Sequence, residues 1–220
     1  QNQAFNALLF MGRDVLKMDL GPLRDGVRAK RGRKLPVVLT PEETSRLLAC
    51  AEGTPALILR VIYGGGLRLM ELCRLRVKDI DFDNELIFVR SGKGGKDRTT
   101  LLARAIIPEL REHIENLRKL HAQDLDAGCA DVYLPEALAR KYPNAASQFG
   151  WQWLFPSGRR SMDPRAGKVR RHHLSPSYVQ KLVRGAVKKA GLEKEATVHT
   201  LRHCFATHLL LNGVDLREIQ

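Results

Sequence analysis

A segment that is apolar on nearly every side sets the strongest limit on how this chain can fold. It lies at residues 55–63 and contains six aliphatic side chains: Ala56, Leu57, Ile58, Leu59, Val61 and Ile62. A helix without a polar face is buried in the core of a protein. Three glycines at 64–66 interrupt this helix, and a second helix with Arg68 in its first turn follows. The sequence therefore predicts a buried helix that ends beside an arginine-bearing helix start.

Capping residues and periodicity predict further helices. Thr40-Pro41-Glu42-Glu43 combines an N-cap, a proline at the first helical position and a glutamate three residues after the cap. Residues 105–121 are amphipathic, and another helix runs from Ser175 to about Ala190, where Gly191 closes it. Between residues 79 and 102, three short segments separated by turns predict antiparallel strands. The expected fold class is mainly α with a small three-stranded antiparallel β-sheet (α+β).

The balance of charges points to a polyanionic partner. The 220 residues include 37 Lys and Arg against 24 Asp and Glu, which gives a net charge of +13. A chain this basic is expected to bind nucleic acid. No run is long enough to span a bilayer and no signal peptide is recognisable, so we expect a cytoplasmic protein with no membrane partner. The four cysteines are scattered without a C-x-x-C pair, and reduced thiols are expected rather than disulfides or a zinc site.

The first 36 residues divide into a helix and a basic linker. Residues 1–20 carry apolar side chains at helical spacing, and we interpret them as the last helix of an incomplete N-terminal domain. Residues 21–36 contain six Lys and Arg and one acid. Such a linker is either a solvated tether or a segment that lies along phosphates. Its candidate DNA-binding residues are Arg31, Arg33 and Lys34. The main domain is expected at 37–220.

Three motifs carry the candidate chemistry. His199 and Arg202 lie three residues apart on a helix, so their side chains point the same way and can bond two oxygens of one phosphate. Arg68 at a helix start can meet a phosphate together with free backbone N–H groups. Such a set suits a phosphodiester and the charge of a pentavalent transition state. A glycine-rich turn carries Lys93 and Lys96, which taken alone would be solvated turn residues.

An Arg in G-L-R-x-x-E-L, a Lys in a G-K-G turn and the run H-x-L-R-H-x-F-A-T-H-L, in this order, resemble the tyrosine recombinase (phage integrase) family. The resemblance implies the catalytic-domain fold of that family and a 3′-phosphotyrosine intermediate, without metal, nucleotide or other cofactor. It implies that Arg68 and Arg202 hold the scissile phosphate, that His199 assists proton transfer and that Lys93 is the general acid. Lys96 is the second candidate for the acid and a candidate DNA contact. Double-stranded DNA is the implied partner, bound by a homotetramer, and the resemblance implies that residues 1–20 end the family's N-terminal core-binding (DNA-clamping) domain.

Residues 131–174 form an insertion that is rich in aromatic and basic side chains. A short helix stopped by Pro143 is followed by both tryptophans and by six Lys and Arg between 159 and 171. Aromatic planes and cations suit unpaired nucleotides, whereas burial in the core is the alternative for at least one tryptophan. The candidate DNA-binding residues here are Trp151, Trp153, Arg170, Arg171, His172 and His173. No carboxylate or cysteine cluster accompanies the two histidines, so a metal site is not expected.

The insertion also carries its own resemblance. The segments A-L-x-R-K-Y-P-N-A, W-Q-W-x-F-P-S, D-P-R and R-R-H-H, in this order, resemble the integron integrases, a branch of the same family. This implies integration and excision of gene cassettes at attC recombination sites folded from a single DNA strand, whose protruding bases the insertion grips. A base that is already unpaired costs little to capture, so stacking can supply recognition.

The end of the sequence departs from the family pattern. The family continues with a second His or Trp and then the nucleophilic tyrosine, and neither can be assigned here. The tyrosines present, which all precede His199, are Tyr63, Tyr133, Tyr142 and Tyr178. We therefore expect a fragment that is inactive alone. Two alternatives remain, a non-catalytic DNA-binding module and a single-strand nucleic-acid binder that uses the insertion.

Overall fold

The chain divides into two compact units, residues 1–35 and 36–220. The computed structural model describes residues 2–18, 35–90 and 96–215. In the first unit, helix α1 (Asn2–Phe10) continues into a wider π-helical turn (Met11–Val15). Large apolar side chains of this unit remain exposed, including Leu8 and Phe10. Its assignment to a DNA-clamping domain stays a prediction, and the basic linker lies outside the described residues except at its end.

The second unit is mainly helical. Its helices are α2 (Pro41–Ala49), α3 (Gly53–Gly64), α4 (Leu69–Cys73), α5 (Ile107–Asp126), α6 (Glu136–Lys141), α7 (Pro176–Lys189) and α8 (Val198–Leu211). Its strands are β1 (Ile80–Asp81), β2 (Leu86–Val89), β3 (Arg98–Leu101), β4 (Pro156–Asp163) and β5 (Lys168–His173). The predicted fold class, helices with a small antiparallel sheet, is confirmed.

Helix α3 forms the centre of the core, as its composition predicts. The side chains of Leu57, Leu59 and Ile62 are at most 1% exposed. The helix packs against α2, α4, α5 and α8. Burying one such side chain stabilises the fold by roughly 1.5–3 kcal/mol. Because α3 packs against these four helices, the point where it ends is fixed relative to α8.

The predicted helix starts are present with their capping bonds. The Thr40 hydroxyl accepts from Glu43 N at 3.2 Å, and Thr40 N donates to the Glu43 carboxylate at 2.8 Å. The Ser175 hydroxyl caps α7 by accepting from Tyr178 N at 3.2 Å. These bonds satisfy backbone donors that have no partner within the helix.

The predicted three-stranded sheet is antiparallel in the order β1-β2-β3. Ile87 faces Thr100, and Ile87 points into the core with no exposed surface. The hydroxyl of Thr100 donates to the carbonyl of Gly65 at 2.9 Å. The third strand is thereby held beside the end of α3, and Arg98, its first residue, is brought to the same place.

The insertion contains a β-hairpin that the sequence did not predict. Strands β4 and β5 pair antiparallel, with Met162 opposite Val169. Half of their side chains are exposed, including these two. A strand without a buried face has no alternation of apolar and polar residues, which is the signal by which strands are recognised.

Two buried polar contacts fix the insertion to the rest of the unit. Arg76 donates from Nη2 to the carbonyl of Tyr133 at 2.9 Å, and its guanidinium lies 4.0 Å from the centre of the Trp153 ring. Burial lowers the pKa of Arg76 to about 10. On α5, Asp124 accepts from Arg160 Nη2 at 2.8 Å and from Arg171 Nε at 2.6 Å. One carboxylate therefore holds an arginine from each strand of the hairpin.

All four cysteines are free thiols, as predicted, and three of them are buried. Within the described ranges, no helix is long and apolar enough to cross a membrane. Over the same ranges, no group of three or more His, Cys, Asp or Glu side chains could hold a metal ion.

Candidate functional site

The site is organised around Glu71, a residue to which the sequence assigned no role. Its side chain is 6% exposed and lies in the first turn of α4. Three guanidinium groups surround its carboxylate. They belong to Arg68, Arg98 and Arg202. These arginines come from the start of α4, from β3 and from α8, so the fold assembles the cluster from distant parts of the chain.

Arg68 immediately precedes α4 and is held by Glu71 at two points. Its Nη1 donates to Glu71 Oε1 at 2.7 Å, and its backbone N–H donates to Glu71 Oε2 at 2.8 Å. The second bond is a helix cap, because the carboxylate satisfies a free backbone donor at the helix start. The guanidinium is about one-third exposed, at 35%, so it is fixed in direction yet open to solvent.

Arg202 reaches the same place from α8. Its Nη1 donates to the carbonyl of Gly66 and lies 3.8 Å from Glu71 Oε2. Burial lowers the pKa of Arg202, the positive charges of Arg68 and Arg98 lower it further, and Glu71 opposes them. The two arginines predicted from the motifs are therefore brought together, as their expected roles require.

Gly66 allows this approach. Its backbone has a φ of +55°, and a Cβ atom there would overlap the ring of Phe205 on α8. Only glycine adopts this conformation at no steric cost. Gly66, the last of the three glycines after α3, thus lets α8 pack closely enough for Arg202 to donate to the Gly66 carbonyl.

Arg98 is the second residue that sequence reasoning missed. Its Nη2 donates to Glu71 Oε2 at 2.8 Å. With Arg202 it lines a cleft of about 490 Å³ between β3 and α8, whose other walls include Phe205 and Leu209. Nothing local distinguishes Arg98 in the sequence. Glu71 did carry a signal, because a glutamate three residues after a helix start is a capping residue.

The remaining catalytic candidates are exposed or lie outside the described residues. His199 is exposed in the first turn of α8, three residues before Arg202. Lys96 is exposed just before β3. Lys93, the predicted acid, lies outside the described residues, as do Arg31, Arg33 and Lys34 of the linker.

In the insertion, three DNA-binding candidates are buried: for two arginines this corrects the expectation of phosphate contact, and for one tryptophan it is the alternative that the sequence left open. Trp153 is 6% exposed and packs under Arg76, so it belongs to the core. Arg170 is 6% exposed and is paired with Asp163 inside the hairpin. Arg171 is largely buried on Asp124. Guanidinium groups that are buried in ion pairs are not available to phosphate.

The other three candidates keep accessible surface. Trp151, His172 and His173 are half-buried. The ammonium of Lys78 lies over the Trp151 ring, and burial together with Arg90 lowers the pKa of this lysine to about 8. His173 packs edge-on against Trp153, with the two ring centres 5.3 Å apart. Trp151 and His172 are therefore the better placed of the aromatic candidates.

The sequence pattern of the phage integrase family matches residues 37–220. An integrase/recombinase of Escherichia coli is 46% identical over 218 residues, and the alignment covers 99% of this chain and 65% of that protein. The tyrosine recombinase XerA of Pyrococcus horikoshii is 33% identical over 189 residues, with 86% of this chain and 52% of that protein covered.

Solved structures agree with these similarities. The crystal structure of XerA recombinase has a TM-score of 0.59 and 29% identity, covering 99% of this chain and 64% of that one. XerH site-specific recombinase, in a post-cleavage complex with a palindromic difH substrate, has a TM-score of 0.56 and 26% identity, covering 89% and 48%. The chain thus spans between about half and two thirds of the length of these relatives.

Proposed function

Because this chain belongs to the phage integrase family, we propose that it is the main part of a tyrosine-type site-specific DNA recombinase. The observation that carries the proposal is the cluster in which Arg68 and Arg202 converge on Glu71. Three positive groups around one carboxylate leave an excess of positive charge, which suits a phosphodiester. XerA and XerH, two of the structural neighbours, are recombinases, and XerH is bound to a palindromic difH substrate.

In the proposed reaction, Arg68 and Arg202 bind the two non-bridging oxygens of the scissile phosphate. Arginine suits this task because its planar fork of N–H groups matches phosphate oxygens and stays charged. Positive charge fixed before the reaction stabilises the transition state without reorganisation. His199 assists proton transfer and Lys93 protonates the departing deoxyribose oxygen, with Lys96 as the second candidate. Cleavage stores the phosphodiester energy in a phosphotyrosyl bond, so no nucleotide is needed.

Trapping of the covalent intermediate tests this proposal. The protein translated from the complete natural reading frame is incubated with a nicked suicide substrate and run on a denaturing gel. We expect a protein–DNA adduct that disappears in Arg202→Ala, while Arg104→Ala retains it. Arg104 is a suitable control because it also pairs with a glutamate, Glu85, but its side chain is 83% exposed. A protein that binds the DNA and never forms an adduct would be a non-catalytic DNA-binding module instead.

None of the four tyrosines present is the proposed nucleophile, since all precede His199 in the sequence. The 220-residue chain itself should therefore bind DNA without forming an adduct. Its binding should weaken steeply with salt, because each neutralised phosphate releases counterions. An adduct formed by this chain would assign the nucleophile to one of those four residues.

For the substrate, we propose the cassette recombination sites of integrons, folded from a single strand, which a tetramer would recombine in the cytoplasm. The support is the insertion itself, a hairpin that Asp124 fixes to α5, with His172 on its second strand and Trp151 shortly before its first. These two rings keep part of their surface accessible to a protruding base, although Lys78 covers one face of Trp151. Stacking of this kind is worth ~1–3 kcal/mol per base.

A competition assay tests the substrate. Binding is compared between a DNA hairpin with bulged bases and the same hairpin without them. Trp151→Ala or His172→Ala should weaken binding to the bulged hairpin by roughly tenfold or more and leave the fully paired one unchanged. Trp153→Ala is the matched control, because this ring is buried and should affect both hairpins equally. If all three variants affect both hairpins equally, the insertion does not read bulged bases.

A further inference from the structure

One oxygen of Glu71 is shared unequally by two arginines. Oε2 accepts from Arg98 Nη2 at 2.8 Å, whereas Arg202 Nη1 lies 3.8 Å from the same atom. Arg202 donates to the Gly66 carbonyl instead. Arg98, from β3, therefore takes the acceptor site that the guanidinium of Arg202 would otherwise occupy.

The acceptor capacity of this oxygen explains the arrangement. A carboxylate oxygen offers about two lone-pair sites. Oε2 uses them for Arg98 Nη2 and for the backbone N–H of Arg68. With both sites on Oε2 filled, Arg202 lies near this oxygen, at 3.8 Å, without a short bond to it. The N–H groups of Arg202 therefore donate no hydrogen bond to Glu71.

We propose that Arg98 is a positioning residue for phosphate binding, because it keeps Glu71 occupied and so leaves Arg202 available to the scissile phosphate. The proposal rests on the proposed function, in which Arg202 binds that phosphate. Without Arg98, the guanidinium of Arg202 would need to move by only about 1 Å to bond Oε2. The resulting charge-assisted pair would neutralise Arg202 and turn its donors away from the DNA.

The hydrogen bonding of Arg98 differs from that of a purely structural arginine. Arg76, which fixes the insertion, donates from both terminal nitrogens to backbone carbonyls. Arg98 donates from Nη2, while its Nη1 is buried without an acceptor among the described residues. Buried polar groups usually have partners, so a terminal nitrogen without one is not what holds a purely structural arginine in place. The ion pair between Arg98 and Glu71 therefore explains the position of Arg98 better than the hydrogen bonds of its guanidinium as a whole.

Titration with inorganic phosphate tests the proposal on the 220-residue chain. Binding is followed through the side-chain N–H resonances of Arg68 and Arg202. Arg98→Ala should weaken phosphate binding by roughly tenfold or more, the scale of one charge-assisted hydrogen bond. Before phosphate is added, the Arg202 resonances of this variant should already show pairing with a carboxylate. Arg104→Ala is the control and should match the wild type.

A double variant separates positioning from structural damage. Glu71→Gln combined with Arg98→Ala removes the charge that would capture Arg202, so phosphate binding should partly recover relative to Arg98→Ala alone. Loss of a structural contact would not be rescued by a second substitution at the same place. Arg98→Lys keeps a positive donor for Oε2 and should retain most of the phosphate affinity. It provides a second test of the proposal if the alanine variant misfolds.

The outcomes distinguish this inference from the proposed function. If Arg68→Ala and Arg202→Ala both leave phosphate binding unchanged, the proposed phosphate site is wrong. If those two weaken binding but Arg98→Ala does not, only the role of Arg98 is overturned. A double variant that binds no better than Arg98→Ala also overturns it, as does equal loss in Arg98→Lys and Arg98→Ala.

Discussion

Gly66→Ala tests whether the end of α3 and the helix α8 fit together as the structure describes. Gly66 has a φ of +55°, and an added Cβ would overlap the Phe205 ring. A left-handed backbone costs an ordinary residue ~1–2 kcal/mol, and overpacking adds ~1–3 kcal/mol. The substitution should therefore lower the free energy of unfolding by about 2–5 kcal/mol.

Gly191→Ala provides the matched control for this substitution. Gly191 has a φ of +60°, and nothing lies within 4 Å of an added Cβ. This variant should incur only the backbone cost of ~1–2 kcal/mol. Urea unfolding followed by circular dichroism measures both values, and their difference isolates the contact with Phe205. Only Gly66→Ala should also weaken phosphate binding, because Arg202 donates to the Gly66 carbonyl. Equal destabilisation by the two substitutions would refute the described fit.

Three further predictions follow from individual groups. Since the pKa of Lys78 is lowered to about 8, the unfolded chain binds more protons above that pH, and stability should rise between pH ~8 and ~10. Because the Lys78 ammonium lies over Trp151, tryptophan fluorescence should change with a midpoint near pH 8; the same transition in Lys78→Gln would contradict this. Asp124→Asn should speed amide exchange in the β4–β5 hairpin and leave α3 protected, because two arginines lose a charged partner; acceleration throughout the unit would instead mean global loosening. Burial raises the pKa of Cys73 to about 11, so mass spectrometry should find half-buried Cys50 alkylated first at pH 8, and the reverse order would show that Cys73 is accessible.

Features with a local cause could be predicted from the sequence. The apolar run of α3 required burial whatever its neighbours were. The caps at Thr40 and Ser175 and the stop at Gly191 depend on a few adjacent residues, and each is present. The convergence of Arg68 and Arg202 was predicted for a different reason, since it came from the family resemblance and not from any property of the two segments.

Features that depend on distant partners could not be predicted. Arg98 is unremarkable until β3 places it beside Glu71. From the sequence alone, Arg170 is expected to be a solvated cation. It is buried because it pairs with Asp163 on the facing strand of a hairpin, and the strands of this hairpin have no apolar face that would reveal them. Trp153 is buried because Arg76 covers its ring. In each case the decisive partner lies on another element, so the sequence around the residue carries no trace of it.

The position of Glu71 makes the arginine cluster depend on the folding of α4. The carboxylate that closes the first turn of α4 also holds the arginines together, so a chain in which α4 has unravelled has no assembled cluster. A partly unfolded molecule therefore keeps the positive charges of these side chains but loses the arrangement in which Arg68, Arg98 and Arg202 face one carboxylate.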